Sequence, residues 1–233
     1  MQRATKIVAT LGPACSDPAV LSRMLAAGVD VVRLNFSHGQ ASDHLARADA
    51  VRAAAKALGR EVAIMADLQG PKIRVGRFAG GRVTLAPGAT FVLDAECESG
   101  DATRAGLDYK ELPRDVGPGA ILLLDDGLIR LRVESVDGPR IVTRVEVGGV
   151  LSNNKGINRL GGGLTAPALT AKDMDDMKTA AQLGADYLAV SFPKNKEDMY
   201  MARQLLRAAG GHAQLIAKIE RAEAIGALDE IIE

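Results

Sequence analysis

The sequence carries no excess charge of either sign. Its 29 Lys and Arg residues balance 29 Asp and Glu, so no overall field steers it toward nucleic acid or an anionic membrane, and any anion site must be local. Cysteine is scarce: Cys15 and Cys97 occur alone, without a CxxC pair, metal-ligand spacing or a companion histidine cluster. Both therefore read as space-filling side chains in a reducing compartment. Long hydrophobic runs are absent too. No stretch approaches the length of a bilayer span, and residues 1–9 lack the apolar run of a signal peptide. The expectation is a soluble cytoplasmic protein with no nucleic-acid or membrane partner, and 233 residues suffice for a sizeable core in one or two domains.

What is present is a regular alternation. From Thr5 to about Leu68, β-branched and aliphatic runs alternate with longer amphipathic stretches, a βαβα rhythm. Residues 5–11 predict a strand, and Ser16-Asp17-Pro18 supplies an N-cap and a first-turn proline for a helix ending near Gly28. A second strand is predicted over 29–36, a helix over about 42–58 closed by Gly59, and a third strand over 61–68. At Gly70-Pro71 the texture changes. Short alternating runs at 82–85, 90–93, 120–124, 129–136 and 140–147, separated by Gly-Gly, Pro-Gly and Asp-Gly pairs, predict a small all-β domain up to about Pro167, with Gly161-Gly162-Gly163 as a hinge or a flexible loop. The α/β rhythm resumes at Thr170, which forms a capping-box pattern with Asp173 at the head of a helix reaching about Leu183. A fourth strand over 185–192, a helix over 196–209, a fifth strand over 213–220 and a helix over 222–233 follow.

Parallel strands joined by helices close into an eight-stranded barrel or stay open as a doubly wound sheet. Polar groups on one face of several strand ends favour the barrel. Arg33, Asn35 and Ser37 share a face opposite Val32, Leu34 and Phe36, because strand side chains alternate. Asp67 ends the third strand and Ser191 the fourth, while Lys218 and Glu220 share a face of the fifth opposite Ala217 and Ile219. Such clusters at the C-terminal strand ends match the mouth of a (β/α)8 barrel. The expected fold is α/β: a partial TIM barrel of about five βα units at 1–69 and 169–233, interrupted by a small β-barrel domain at 70–168.

Three strings suggest chemistry. In VVRLNFSHG, an arginine opposite an apolar face is costly unless an anion answers it, and a guanidinium suits phosphate, so Arg33 is a candidate phosphate contact. Lys218-Ile219-Glu220 lies on a strand expected to be central and buried. An ammonium beside a carboxylate there suits phosphoryl transfer, the lysine neutralising the moving group and the carboxylate holding Mg²⁺. In DLQGPKIRVG, Asp67, Lys72 and Arg74 flank a Gly-Pro turn that reads equally well as a charged interdomain hinge.

TKIVATLGPA, VVRLNFSHG, DLQGPKIRVG, LLLDDG, LSNNKGIN, LTAKD, DYLAVSF and AKIERAEA, in this order, resemble the pyruvate kinase family along essentially the whole chain. The resemblance implies a barrel interrupted after its third strand by a β-rich lid, acting on phosphoenolpyruvate and ADP with Mg²⁺ or Mn²⁺. Lys218 corresponds to the lysine that stabilises the phosphoryl group in transit and the developing enolate, Glu220 to one of two carboxylates on the divalent ion, and Arg33 to the phosphate-contacting arginine. Pro13, His38, Arg74 and Lys155 fall in strings associated with the nucleotide and lid closure, Asp126 resembles the lid carboxylate, and Ser191 joins the substrate-binding set. Asn35, Ser37, Asp67 and Leu68 match the family's K⁺ ligands. Lys72 stands where K⁺-dependent members usually have glutamate, so K⁺ is expected to be dispensable. Full-length family members are usually homotetramers. The second metal carboxylate and the threonine linked to proton delivery fall beyond Glu233, so the 233-residue chain alone is expected to be inactive and prone to self-associate. A barrel lyase or mutase acting on an enolpyruvate-like acid, and a non-catalytic fragment, stay open as alternatives.

Overall fold

The computed structural model describes residues 4–233. These fall into two compact units: one runs through Pro71 and resumes at Pro167, and Lys72–Ala166 form the other.

The first unit opens with β1 (Val8–Thr10), a turn of 3-10 helix at Pro13–Cys15, α1 (Pro18–Ala26), β2 (Val31–Asn35), α2 (Ala41–Ala57) and β3 (Ala63–Asp67). The Asp17 carboxylate caps α1 by accepting from the amides of Ala19 and Val20, and Pro18 occupies a first-turn position whose missing N–H costs nothing. Val32 and Leu34 of β2 are fully buried while Arg33 and Asn35 are not, the alternation that the sequence predicts.

Lys72–Ala166 hold β4 (Arg77–Phe78), β5 (Arg82–Leu85), β6 (Thr90–Asp94), β7 (Ser99–Gly100), β8 (Arg104–Gly106), α3 (Leu112–Asp115), β9 (Ile121–Leu124), β10 (Ile129–Asp137), β11 (Arg140–Val147), β12 (Gly149–Ser152) and β13 (Ile157–Arg159). The main sheet has the order β13-β9-β10-β11-β6-β8, with separate pairs β12-β5 and β4-β7. Phe91, Leu93, Leu122, Leu124, Leu131 and Ile141 build this unit's own core. The turn between β9 and β10 places both Asp125 (φ 52) and Asp126 (φ 55) in the left-handed region, with the Gly127 amide donating to Leu124 O. That is the primed geometry favoured by tight hairpins, tolerable for Asp because its short side chain permits it.

The first unit resumes with α4 (Ala171–Gln182), β14 (Tyr187–Val190), α5 (Lys196–Ala208), β15 (Gln214–Ala217), α6 (Ala222–Gly226) and α7 (Leu228–Ile232). Thr170 and Asp173 form the capping box at the head of α4. The sheet runs β1-β2-β3-β14-β15, every neighbouring pair parallel. Register aligns Asn35 with Asp67, and Asp67 with Ala189. The core beneath it includes Leu34, Phe36, Ile64, Leu68, Met177 and Leu188.

Two expectations need correction. The fifth strand is not central and buried: β15 is the sheet's border, and Ile216 and Ile219 are 36% and 44% exposed, since a strand with one hydrogen-bonded neighbour is covered on one side only. The helix expected over 222–233 breaks at Ala227 into α6 and α7, directly after Gly226. Among the described residues, no helix is long and apolar enough to cross a membrane.

Candidate active site

The C-terminal ends of parallel strands all open at one end of a sheet, so the side chains just beyond them can meet. Here they meet on Asp67. This last residue of β3 is 2% exposed, and an unanswered carboxylate at that depth would cost several kcal/mol. Arg33 of β2 answers its Oδ2 with Nε at 2.6 Å and Nη2 at 2.5 Å. From beyond β15, Lys218 places Nζ 3.0 Å from Oδ1, an ion pair outside hydrogen-bond alignment. The Arg33 guanidinium also donates through Nη1 to Thr10 Oγ1 at 3.0 Å, across the β1–β2 register that aligns these two residues. These contacts engage at most three of its five N–H groups, leaving donors for an oxyanion.

The other strand ends are tied into the same rim. Lys218 N donates to Val190 O at 3.0 Å, setting its side chain beside the end of β14. Ser191 Oγ donates to Leu68 O at 2.6 Å, which occupies one of that carbonyl's two lone pairs. Glu220 lies 3.5 Å from Lys218 Nζ through Oε1 and accepts the Phe192 amide through Oε2 at 3.3 Å. Phe192 has a φ of 58°, a strained value for a bulky residue and the kind of outlier that functional rims retain. Asn35 Oδ1 accepts from Ser37 N at 3.0 Å, and His38 N donates to Asn35 O at 3.2 Å, an Asx turn that fixes the loop after β2. Pro13 and His38 stand on the loops leaving β1 and β2 at this end, with no described hydrogen bond or ion pair to Asp67, Arg33 or Lys218.

The remaining sequence candidates gather elsewhere. Within Lys72–Ala166, Arg74 Nη1 donates to Asn154 O at 3.0 Å, Lys155 pairs with Asp125 at 2.7 Å, and the Lys72 side chain packs beside Gly156. Asp126 is exposed at the hairpin tip. Arg74, Lys155 and Lys72 thus border one stretch of backbone, residues 154–156.

Several residues escaped the sequence reading. Thr10 was legible as the strand-end neighbour of Arg33 once β1 and β2 were paired, and Asp125 is the carboxylate beside Asp126. Lys172 donates through Nζ to Phe36 O at 2.7 Å, and His44 stacks flat on Phe36 with ring centroids 4.1 Å apart and planes 7° from parallel. His44 is 2% exposed, and the His38 backbone is the hydrogen-bonding group that bears on its ring. Burial, then the Arg47 cation, hold its imidazole below the usual histidine range. Its place four, seven and eleven residues before Ala48, Val51 and Ala55, the other buried residues of α2, is the signal that could have put it on the inward face.

Glu220 retains lone pairs for a hard cation, which takes oxygen ligands. Among the described residues, however, no group of three or more His, Cys, Asp or Glu side chains is placed to hold a metal ion. Glu220 thus fits as one ligand and does not make a site unaided.

The chain matches the family model described as "Pyruvate kinase, barrel domain" over residues 2–233. It is 55% identical over 235 residues to "Pyruvate kinase" of Haemophilus influenzae, and 57% identical over 235 residues to "Pyruvate kinase II" of Salmonella typhimurium, in each case over 99% of this chain and 49% of the relative. It is 42% identical over 233 residues to "Pyruvate kinase" of Mycobacterium intracellulare, again covering 49% of that protein. The chain spans about half the length of the curated relatives it matches. With a half-barrel sheet whose strand ends carry an Arg–Asp–Lys cluster, and a family match along nearly its whole length, the chain belongs to the pyruvate kinase family.

Proposed function

We propose that this chain supplies the phosphoryl-handling rim of an enzyme that transfers a phosphoryl group from phosphoenolpyruvate to ADP, giving pyruvate and ATP. The observation that carries the reading is the convergence of Arg33 and Lys218 on the Asp67 carboxylate. Without substrate, Asp67 keeps the two cations paired and in place. With substrate, the free guanidinium donors of Arg33 bind the phosphate, and the Lys218 ammonium neutralises charge on the phosphoryl group in transit and on the enolate oxygen left behind. These contacts strengthen as charge moves onto those oxygens, so they favour the transition state over the ground state. When bound, Mg²⁺ or Mn²⁺ would neutralise phosphoryl oxygens, with Glu220 as one of its ligands.

In the finer reading, the sheet at 1–69 and 169–233 is half of a (β/α)8 barrel and 70–168 is its inserted lid. Pro13, His38, Arg74, Asp126, Lys155 and Ser191 serve substrate and nucleotide, and Asn35, Ser37, Asp67 and Leu68 form the monovalent-cation position. Independence from K⁺ rests on the residue type at position 72 alone. The complete protein would work in the cytoplasm as a homotetramer. The test is pyruvate formation coupled to NADH oxidation, measured with this chain in place of the matching half of the Haemophilus influenzae relative. Turnover that needs both phosphoenolpyruvate and ADP and is lost in Lys218→Met is the expected result, and its absence from the wild-type chimaera overturns the reading.

A further inference from the structure

Residues 169–173, LTAKD, carry none of the chemistry proposed above, yet two of them reach the chain just beyond β2 and β3. Phe36 lies one residue beyond β2 and Gly70 three residues beyond β3, so part of their backbone hydrogen bonding has no partner in the sheet. Groups left in that condition at depth need side-chain partners. The first turn of α4 supplies both. Lys172 Nζ donates to Phe36 O at 2.7 Å and is itself held by Asp176 Oδ2 at 2.6 Å. Asp173, fully buried, accepts the Gly70 amide at 3.0 Å through Oδ1, and takes the Thr170 amide (2.8 Å) and hydroxyl (2.6 Å) through Oδ2. Phe36 N in turn donates to Asp67 O at 2.9 Å, and Phe36 separates Asn35 from Ser37.

We infer that Lys172 and Asp173 are positioning residues, a two-point brace by which the head of α4 holds the ends of β2 and β3 so that Asn35, Ser37 and Asp67 keep their places. Its functional consequence rests on the phosphoryl-transfer reading; the brace itself does not. α4 is also the first helix after the chain returns from Lys72–Ala166, so a shift in the returning segment would reach the rim through these two side chains.

The test compares wild type with Lys172→Met, Lys172→Arg and Asp173→Asn in the same chimaera by hydrogen exchange and by phosphoenolpyruvate kinetics. Expected are faster exchange at the Gly70 amide in Asp173→Asn and across residues 35–38 in Lys172→Met. The rest of the sheet should stay protected, and KM for phosphoenolpyruvate should rise roughly tenfold, as small misplacements of a binding group do. Lys172→Arg, which still donates to Phe36 O, should restore both readouts. Uniform loss of protection, or unchanged exchange at these amides, overturns the brace; altered exchange with unaltered KM overturns its role in positioning. A wild-type chimaera that does not turn over phosphoenolpyruvate defeats the phosphoryl-transfer reading, while the exchange data still decide the brace.

Discussion

Arg33 and Lys218, from opposite ends of the chain, share one counter-ion: the former grips Oδ2 of Asp67 and the latter faces Oδ1. Removing that carboxylate leaves Lys218 with Glu220 at 3.5 Å and Arg33 with the neutral Thr10 hydroxyl, and the two cations then repel each other. Because Arg33 and Lys218 keep 29% and 28% of their side chains exposed, water softens the penalty, and Asp67→Asn should cost about 2 kcal/mol rather than the larger sum of a dry pair. Urea unfolding should show a lower midpoint at an unchanged slope.

Arg33→Lys keeps the charge but loses the planar fork. An ammonium carries its three donors on one atom and cannot span Asp67, Thr10 and a phosphate from separate nitrogens as the guanidinium does, so phosphoenolpyruvate affinity should fall by about tenfold, or 1.4 kcal/mol, or more. Calorimetric titration checks this, and equal affinity in the two proteins would mean that Arg33 does not contact the phosphate.

His44 gives a pH dependence with a definite sign. Its imidazole titrates below the ordinary 6.5, chiefly through burial and then Arg47, with Lys172 adding in the same direction while the His38 backbone and Asp176 oppose. Just below pH 6.5 the unfolded chain therefore binds more protons than the folded one. This contribution to stability is complete above that pH and is lost as pH falls toward the lowered value. His44→Phe, which keeps a ring on Phe36 but cannot titrate, should flatten the fall in urea midpoint as pH is lowered below 6.5. A wild-type slope persisting in the variant would assign it to another group.

Much of this was legible from residue order. Asp17-Pro18 and the Thr170–Asp173 box marked helix starts because caps are local chemistry, and Arg82–Leu85 and Arg140–Val147 were legible as strands because their alternation is local too. Gly149–Ser152 and Ile157–Arg159 were not, since pairing with Arg82–Leu85 and Ile121–Leu124 makes them strands. The aliphatic pattern of residues 215–219 likewise reports an aversion to water without saying whether a second neighbour covers it. Arg33 visibly needed an anion, but that Asp67 supplies it follows only from the β2–β3 register.

Two glycines separate backbone strain from crowding. Gly59 (φ 59°) and Gly70 (φ 62°) both adopt left-handed backbone, yet a Cβ on Gly59 meets nothing within 4 Å while one on Gly70 falls 2.7 Å from Ser191 Cβ. Gly59→Ala should cost about 1 kcal/mol, the conformational part alone. Gly70→Ala should cost about 3 kcal/mol or more, because Ser191 cannot move without releasing Leu68 O. Paired thermal unfolding curves measure the difference.

Independence from K⁺ is proposed from the residue type at position 72: a unit positive charge is worth roughly 4 kcal/mol at about 4 Å in a partly shielded site, the scale of what a bound monovalent cation would supply. The chimaera's rate in buffer free of sodium and potassium should be unchanged on adding K⁺, and Lys72→Glu should create a requirement for it. A many-fold rise in the wild-type rate would remove the proposal.

Gly70 and Thr170 are fastened to the same Asp173 carboxylate, so the points where the chain departs for Lys72–Ala166 and comes back are pinned together. The intervening segment is a closed ring on a fixed clasp. Lengthening such a ring costs only the logarithm of its size, so the excursion can be trimmed, enlarged or exchanged during divergence while β3 and β14 remain adjacent.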